Sequence, residues 1–193
     1  MTAIVVRSTL VGSVVLLAIA AAPAAAQRPA AVGLGLGASV ESTPAGVRAV
    51  AVPVSIELSA AVAAPLWWRA TATFASLRLD DARGDGHSFA LRTGPAVERC
   101  WDGTLCVGAG VDLGWGHRRF ALGPDAAALT VDGLDAEARL STSLAVDHRR
   151  KVFLAGHAAV AARYAVTTSA AVPTMTSSLD LGTSLTIALV VHN

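Results

Sequence analysis

The sequence predicts an all-β protein: an eight-stranded antiparallel up-and-down transmembrane β-barrel that follows a cleaved signal peptide. Three observations indicate this class. Apolar residues fall on alternate positions in eight segments, which is the period of a strand with one apolar face. The chain is 53% hydrophobic and 15% charged, yet residues 27–193 contain no run of the ~18 apolar residues that a membrane helix needs. The N-terminus, finally, has the layout of a secretory signal.

The first 26 residues predict a signal peptide that export removes. Arg7 gives a positively charged start, residues 11–22 form a short apolar stretch, and Ala24-Ala25-Ala26 gives a cleavage site before Gln27. We therefore expect 1–26 to be the signal peptide and 27–193 to be one mature domain outside the cytoplasm.

The first four strands are predicted from alternating segments of varying clarity. These segments are 32–40, 49–58, 68–75 and 89–98. In the first segment, glycines and a serine separate the valines, leucines and alanine, so one face is apolar and the other is small. The second and fourth segments contain Pro53 and Pro95, which lack the N–H that a strand ladder requires.

The last four strands are predicted from the segments 105–116, 134–147, 152–164 and 179–191. The fifth alternates without a break, and the eighth places Leu185, Ile187, Leu189 and Val191 on one face. Each segment has about the length that a tilted strand needs to cross a bilayer. An even number of strands suits a closed barrel with both ends on one side.

The predicted connections alternate between short and long. The inner turns are 59–65, 100–104 and 148–151, and the outer loops are 41–46, 80–87, 117–132 and 165–177. Short inner turns and long outer loops are typical of outer-membrane barrels. We expect the two longest outer loops, including Arg118-Arg119, to form the working surface.

The face opposite the apolar one carries the charges, and either face is compatible with a barrel lumen. If the apolar face meets lipid, a lumen charge network is predicted from Glu57, Arg69, Arg92, Glu98, Asp112, Glu137, Arg139, His157, Arg163 and Asp180; Asp135 and Asp147 share that face. An eight-stranded barrel is narrow enough for side chains to fill, and buried charges must be paired. We therefore expect the charges to plug the lumen.

Aromatic residues cluster near the predicted membrane interfaces. The predicted aromatic girdle consists of Trp67, Trp68, Phe89, Trp115 and Tyr164, with Trp101 and Phe153 also at the inner end. Amphipathic rings favour both interfaces of a spanning barrel. Two of these rings, Trp67 and Phe153, stand at positions whose alternation does not point to lipid.

These features together resemble the small OmpA/OmpX-type outer-membrane barrels: the signal peptide, eight alternating segments, two girdles, and a closing strand from Gly182 to Val191. The resemblance implies a structural or surface-interaction role in the outer membrane of a Gram-negative-type bacterium. Because the sequence contains no G-x-S-x-G motif, phosphate loop or metal-ligand cluster, we expect neither enzyme activity nor a cofactor. The resemblance also implies outer-membrane lipid and the barrel assembly machinery as partners of a monomer. The chain departs from the family by ending in His192-Asn193 where members usually end in an aromatic residue.

The two cysteines of the chain predict a disulfide. Cys100 and Cys106 flank the turn signal Asp102-Gly103, and two such cysteines in an exported protein indicate a bond that staples a hairpin. A structural zinc site would need four ligands, so no metal is expected.

Three alternatives remain at this stage. A soluble periplasmic lipocalin-like barrel would turn the apolar face inward around a small apolar ligand. A narrow pore would need an open lumen, and a lipid-modifying enzyme would have His157 as its candidate base. Nucleic acid is not expected as a partner, because 15 basic and 14 acidic residues leave the chain nearly neutral.

Overall fold

The computed structural model describes residues 30–42, 48–63, 65–79, 84–102, 104–121, 128–149, 151–169 and 176–193. The predicted signal peptide lies outside these residues, as do the central parts of the four outer loops. Within the described ranges, no helix is long and apolar enough to cross a membrane.

Eight strands form one closed barrel in chain order. They are β1 (Ala30–Ser42), β2 (Arg48–Ala63), β3 (Leu66–Leu79), β4 (Asp85–Trp101), β5 (Leu105–Ala121), β6 (Leu129–Ala145), β7 (Val152–Ser169) and β8 (Thr176–His192). Each strand pairs antiparallel with the next, and β8 closes the ring on β1. The prediction of an all-β, eight-stranded up-and-down barrel is confirmed.

The apolar alternation becomes the outer surface of the barrel. On β8, Leu185 and Ile187 are 67% and 64% exposed, whereas Ala188 is 6% exposed. Leu36 of β1 lies directly opposite Ile187 across the closing seam, so apolar side chains of neighbouring strands form a continuous belt. The inner face of β1 is lined by glycines, which leave room for long side chains from the opposite wall.

The two strand prolines are accommodated without a change of register. Pairing between β1 and β2 is interrupted beside Pro53, and pairing between β4 and β5 is interrupted beside Pro95. The ladder on the other side of each proline continues, with Pro53 opposite Ala75 and Pro95 opposite Trp68. A proline removes one N–H donor, so each strand loses pairing on one side only.

The strands are longer than the apolar segments that predict them, ranging from 13 to 18 residues. The largest difference concerns the predicted loop 117–132, because β5 continues to Ala121 and β6 begins at Leu129. The in-and-out alternation persists there, with Arg118 buried in the lumen and Arg119 exposed. The prediction that both arginines lie in a loop was wrong, because polar residues replace apolar ones on the outer face before the strand itself ends. The prediction of surface exposure was wrong for Arg118 only.

A small apolar cluster fills part of the lumen toward the outer end. Its buried members come from β2, β3, β5, β6 and β7, and they are Ala51, Ala75, Leu77, Phe120, Val131 and Ala165. Phe120 is 1% exposed and Val131 is fully buried. Phe120 has no role in the predicted girdle, and it contributes instead to this internal cluster.

Candidate functional site

The lumen is built around charged side chains from every strand. Among the described residues, arginines project inward from five consecutive strands: Arg69, Arg92, Arg118, Arg139 and Arg163. The carboxylates that meet them come from β1, β2, β5, β6 and β8: Glu41, Glu57, Asp112, Asp135, Glu137 and Asp180. The inward period-two positions of the sheet place these groups at successive heights in one narrow tube.

The outer part of the network joins β5 and β7 to β1 and β8. Arg118 Nη2 lies 2.6 Å from Glu41 Oε2, and its Nη1 lies 3.6 Å from Asp180 Oδ2. Arg163 Nη1 is 3.8 Å from the same Glu41 oxygen. Because Glu41 and Asp180 belong to the two strands that close the barrel, the Arg118 pairs connect the closing seam to β5 on the opposite wall, and the Arg163 pair connects it to the nearby strand β7.

Asp135 is the centre of the middle part. Arg163 donates to both of its carboxylate oxygens, and the Nη2–Oδ2 distance is 2.7 Å. Arg92 donates to Asp135 Oδ2 at 2.8 Å and lies 3.1 Å from Glu137 Oε2. The Asp135 carboxylate has no exposed side-chain surface, so its charge is balanced by two guanidinium groups in place of water.

Arg139 links the inner part of the network. Its Nη1 lies 2.5 Å from Glu57 Oε2, and its Nη2 lies 3.0 Å from Glu137 Oε1 and 3.4 Å from Asp112 Oδ2. Arg69 donates to Asp112 at 2.7 Å. The Arg139–Glu57 pair joins β6 to β2 across the lumen, so side chains occupy the space that a pore would need.

Two small cavities remain beside the network. One of about 80 Å³ is lined by Glu41, Glu57, Arg92 and their neighbours. The other, of about 50 Å³, lies toward the inner end beside Glu57, Glu98 and His157. Polar cavities of this size hold water molecules, and neither is large enough for a drug-sized ligand.

The predicted lumen residues all lie on this inner face, but they do not all join the network. Glu98 and His157 line the inner cavity. Glu98 has no ion-pair partner among the described residues, and His157 Nδ1 has no hydrogen-bond partner.

Two network residues, Glu41 and Arg118, were assigned to outer loops by sequence reasoning. Both lie on strands and are ion-paired at 2.6 Å. The signal that identifies them is the parity of their positions: Glu41 continues the inward series of β1, and Arg118 continues that of β5. A prediction based on apolar content alone ends β1 before Glu41 and β5 before Arg118.

The predicted disulfide between Cys100 and Cys106 is confirmed. The two residues lie directly opposite each other on β4 and β5, with their Cα atoms 3.9 Å apart. Asp102 adopts a positive φ of 50° in the turn between them. Glu98 lies within 4.8 Å of both sulfurs, but sulfurs joined in a disulfide do not offer the thiolates that a metal site needs.

The rings of the predicted girdle divide between the two faces. Trp68 points outward, is 45% exposed and donates from Nε1 to Thr93 Oγ1 at 2.8 Å, while Tyr164 is 55% exposed. The prediction that Trp67 belongs to the girdle was wrong. Its side chain lines the inner cavity, because adjacent strand residues point to opposite faces and its neighbour Trp68 points outward. Phe89 and Trp115 occupy outward positions near the outer end, with Trp115 stacked on His117 at 5.9 Å.

Trp67 belongs to an aromatic cluster inside the inner mouth of the barrel. Its ring lies 5.9 Å from that of His192, edge to face, and the Phe153 ring lies 4.9 Å from His192 on another side. Phe153 is 5% exposed. The last residue of β8 is therefore packed between two rings in the lumen.

Comparison with known proteins identifies the fold. No protein-family model matches the sequence, and no curated protein matches it. Crystal structures do match, among them neisserial surface protein A, with a TM-score of 0.62 and 13% identity over 84% of this chain and 96% of that chain. The outer membrane protein OprG of Pseudomonas aeruginosa has a TM-score of 0.57 and 10% identity over 85% and 95%.

A third match is the attachment invasion locus protein Ail of Yersinia pestis, solved with the heparin analogue sucrose octasulfate. It has a TM-score of 0.53 and 7% identity over 87% of this chain and all of that chain. At these identities the comparisons show a shared barrel fold.

Proposed function

We propose that this protein is an integral outer-membrane β-barrel with a structural or surface-interaction role in a Gram-negative-type bacterium. The inverted polarity of the barrel is the observation that carries the proposal. Val111 is 53% exposed, whereas the next residue, Asp112, is fully buried. An apolar outer surface of this kind is stable when lipid surrounds it.

The height of the apolar belt supports a membrane-spanning role. From Leu105 to Trp115 on β5, a rise of ~3.3 Å per residue at a tilt of ~40° gives a belt of roughly 25 Å. That height matches the hydrocarbon thickness that outer-membrane barrels span. A soluble lipocalin-like barrel would need its apolar face around the cavity, and the lumen is lined by charges instead.

The packed lumen favours a role for the outer surface over transport or catalysis. The Arg139–Glu57 and Arg118–Glu41 pairs cross the tube at two heights. The protein therefore acts as a rigid, monomeric scaffold in outer-membrane lipid, inserted by the barrel assembly machinery, with its outer rim and loops as the contact surface.

Membrane fractionation tests the proposal directly. The protein is expected in the outer-membrane fraction, and unheated samples are expected to migrate differently on a gel from boiled samples. Recovery as a soluble periplasmic protein would refute the proposal.

Lipid contact of the two faces can be measured with a matched pair of neighbours. Leu140 is 65% exposed, and Ser141 is its inward neighbour, lining the inner cavity. A fluorescent probe on Leu140→Cys should be quenched by brominated lipid, and a probe on Ser141→Cys should not. Equal lack of quenching would favour the soluble barrel. Neither change removes a member of the charge network.

A further inference from the structure

Three exposed arginines stand on the outer face of the barrel at its outer end. Arg48 lies at the start of β2, Arg78 near the end of β3 and Arg119 near the end of β5. We call these three residues the outer arginine rim. Each stands on the outward positions that follow the apolar belt along its strand, so the rim lies just above the lipid-facing surface.

The rim is confined to one side of the barrel. In the β5–β6 register, Arg119 lies opposite Thr130. In the following two registers, Asp132 of β6 lies opposite Val166 of β7, and Val166 lies opposite Ser177 of β8. Among the described residues, the outward positions at this end of β6, β7 and β8 therefore include no arginine or lysine. The positive charge is concentrated on β2, β3 and β5.

The three guanidinium groups have no ion-pair partner among the described residues, although acidic residues are near. Asp85 lies opposite Arg78 in the β3–β4 register without forming an ion pair. Asp132 contacts His117 instead, with its Oδ1 atom 3.0 Å from His117 Nδ1. The lumen arginines, by contrast, are paired with carboxylates. Within the described part of the chain, no carboxylate neutralises the rim arginines, so their guanidinium groups can bind an external anion.

The spacing of the rim suits a ligand with more than one anionic group. Strands lie ~4.8 Å apart, and Arg119 on β5 is offset from Arg78 on β3 by two strands and two residues, so the two are roughly 12 Å apart at the backbone. Arg48 is offset from Arg78 by one strand and two residues, which is roughly 8 Å. Arginine binds phosphate through paired N–H donors.

We propose that the outer arginine rim binds the phosphate groups of lipid headgroups in the outward-facing leaflet. The continuity of the surface identifies the ligand as a lipid: below Arg119 on the same face comes His117, stacked on Trp115, and then Leu113 and Val111, which are both more than half exposed. A molecule that covers both regions carries phosphate at one end and acyl chains at the other. This inference rests on the proposed function, because only a membrane-inserted barrel presents the rim at that depth.

Native mass spectrometry of the detergent-solubilised barrel tests the inference, with lipid A carrying both phosphates as the probe and its dephosphorylated form as the comparison. The variant Arg48→Gln/Arg78→Gln/Arg119→Gln should bind the phosphorylated form about 100-fold more weakly, at roughly fivefold per arginine. Binding of the dephosphorylated form should be weak for both proteins and unchanged by the substitutions.

Arg99→Gln is the matched control, because Arg99 is also an exposed outward arginine but lies at the inner end, 5.8 Å from the Trp101 ring centroid. It should leave binding unchanged. Inorganic phosphate should not displace the lipid; displacement would show that a free phosphate site, without acyl contact, explains the binding. Equal losses for Arg99→Gln and Arg78→Gln, or equal binding of both lipid A forms, would overturn the inference.

Failure of this inference and failure of the proposed function give different results. If the wild-type protein fractionates with the outer membrane and shows heat-modifiable migration, yet binds both lipid A forms equally, only the inference is wrong. If it is recovered as a soluble protein, the proposed function is wrong.

Discussion

Replacing Arg139 with methionine should destabilise the barrel far more than removing an exposed arginine. The Arg139 side chain is 7% exposed and lies within 3.4 Å of three carboxylates. Methionine fills much of the same volume but leaves that negative charge uncompensated. Breaking a buried ion pair by removing one partner costs about 3–5 kcal/mol.

The lower end of that range is expected, because two of the three carboxylates keep another partner. Asp112 retains Arg69 at 2.7 Å, and Glu137 retains Arg92 at 3.1 Å. Glu57 has Arg139 as its ion-pair partner. We therefore expect a loss of about 3 kcal/mol in the free energy of unfolding, most of it arising at Glu57.

The double variant Arg139→Met/Glu57→Gln identifies the source of the loss. It removes the uncompensated carboxylate, so it should recover about half of the lost stability or more, since replacing both members of a buried pair is often close to neutral. Urea titration of the protein in phospholipid vesicles, followed by tryptophan fluorescence, gives the free energies.

The control is Arg149→Met in the exposed inner turn, for which we expect a change below ~0.5 kcal/mol. If Arg139→Met also stays within ~0.5 kcal/mol of wild type, the ion pairs contribute little and the reasoning is refuted. If the double variant is as unstable as Arg139→Met, the uncompensated charge on Glu57 is not the cause.

Three further predictions concern the belt, the β4–β5 seam and the inner turn. Val111→Arg, near the middle of the belt, should cost about 2–4 kcal/mol of unfolding free energy in vesicles, and Leu105→Arg at the inner edge about 0–1 kcal/mol; equal costs would contradict the membrane placement. Gly94→Ala should lower the urea midpoint, because a Cβ there overlaps the facing backbone carbonyl on β5, whereas Gly156→Ala meets its nearest atom at 3.8 Å and should be neutral or slightly stabilising; a neutral Gly94→Ala would show that the seam relaxes freely. Asp147 accepts hydrogen bonds from three backbone N–H groups of its turn, which lower its pKa below the ordinary 3.8. Its stabilisation is thus present above pH 3.8 and lost as the pH falls through the lower folded pKa, so the difference in unfolding free energy between wild type and Asp147→Ala should shrink in acid, and a difference that persists would contradict the assignment.

The period-two pattern predicts the strands and their facing well because it is local. On β5, Leu105, Val107, Val111 and Leu113 are exposed on the outward face, and the buried Asp112 lies where the alternation places it. Strand ends are predicted less well, since a strand continues through charged residues once it leaves the apolar zone. Arg118 shows this, because its charge suggests a loop while its parity places it in the lumen.

Pairing partners cannot be read from the sequence because they depend on three-dimensional proximity. The Arg139–Glu57 contact joins residues 82 positions apart, and its existence depends on how two strands face each other across the closed tube. The sequence carries two conflicting signals for the orientation of Trp67. Its amphipathic ring favours an interface, but its position on β3 points it inward, and the strand geometry decides.

The closing seam between β1 and β8 gives the chain the connectivity of a ring. The Asn193 backbone N–H donates to the Ala30 carbonyl at 2.9 Å, so the first described residue and the last one are neighbours at the inner edge. Seven seams are hairpins between consecutive strands, and only this one joins distant parts of the chain. A circular permutant that links residue 193 to residue 30 and opens within an outer loop would keep all eight seams: the β1–β8 seam becomes a hairpin, and the seam at the opened loop becomes the long-range closure. Because one seam in eight is long-range in either form, contact order predicts a similar rate of folding to the same barrel.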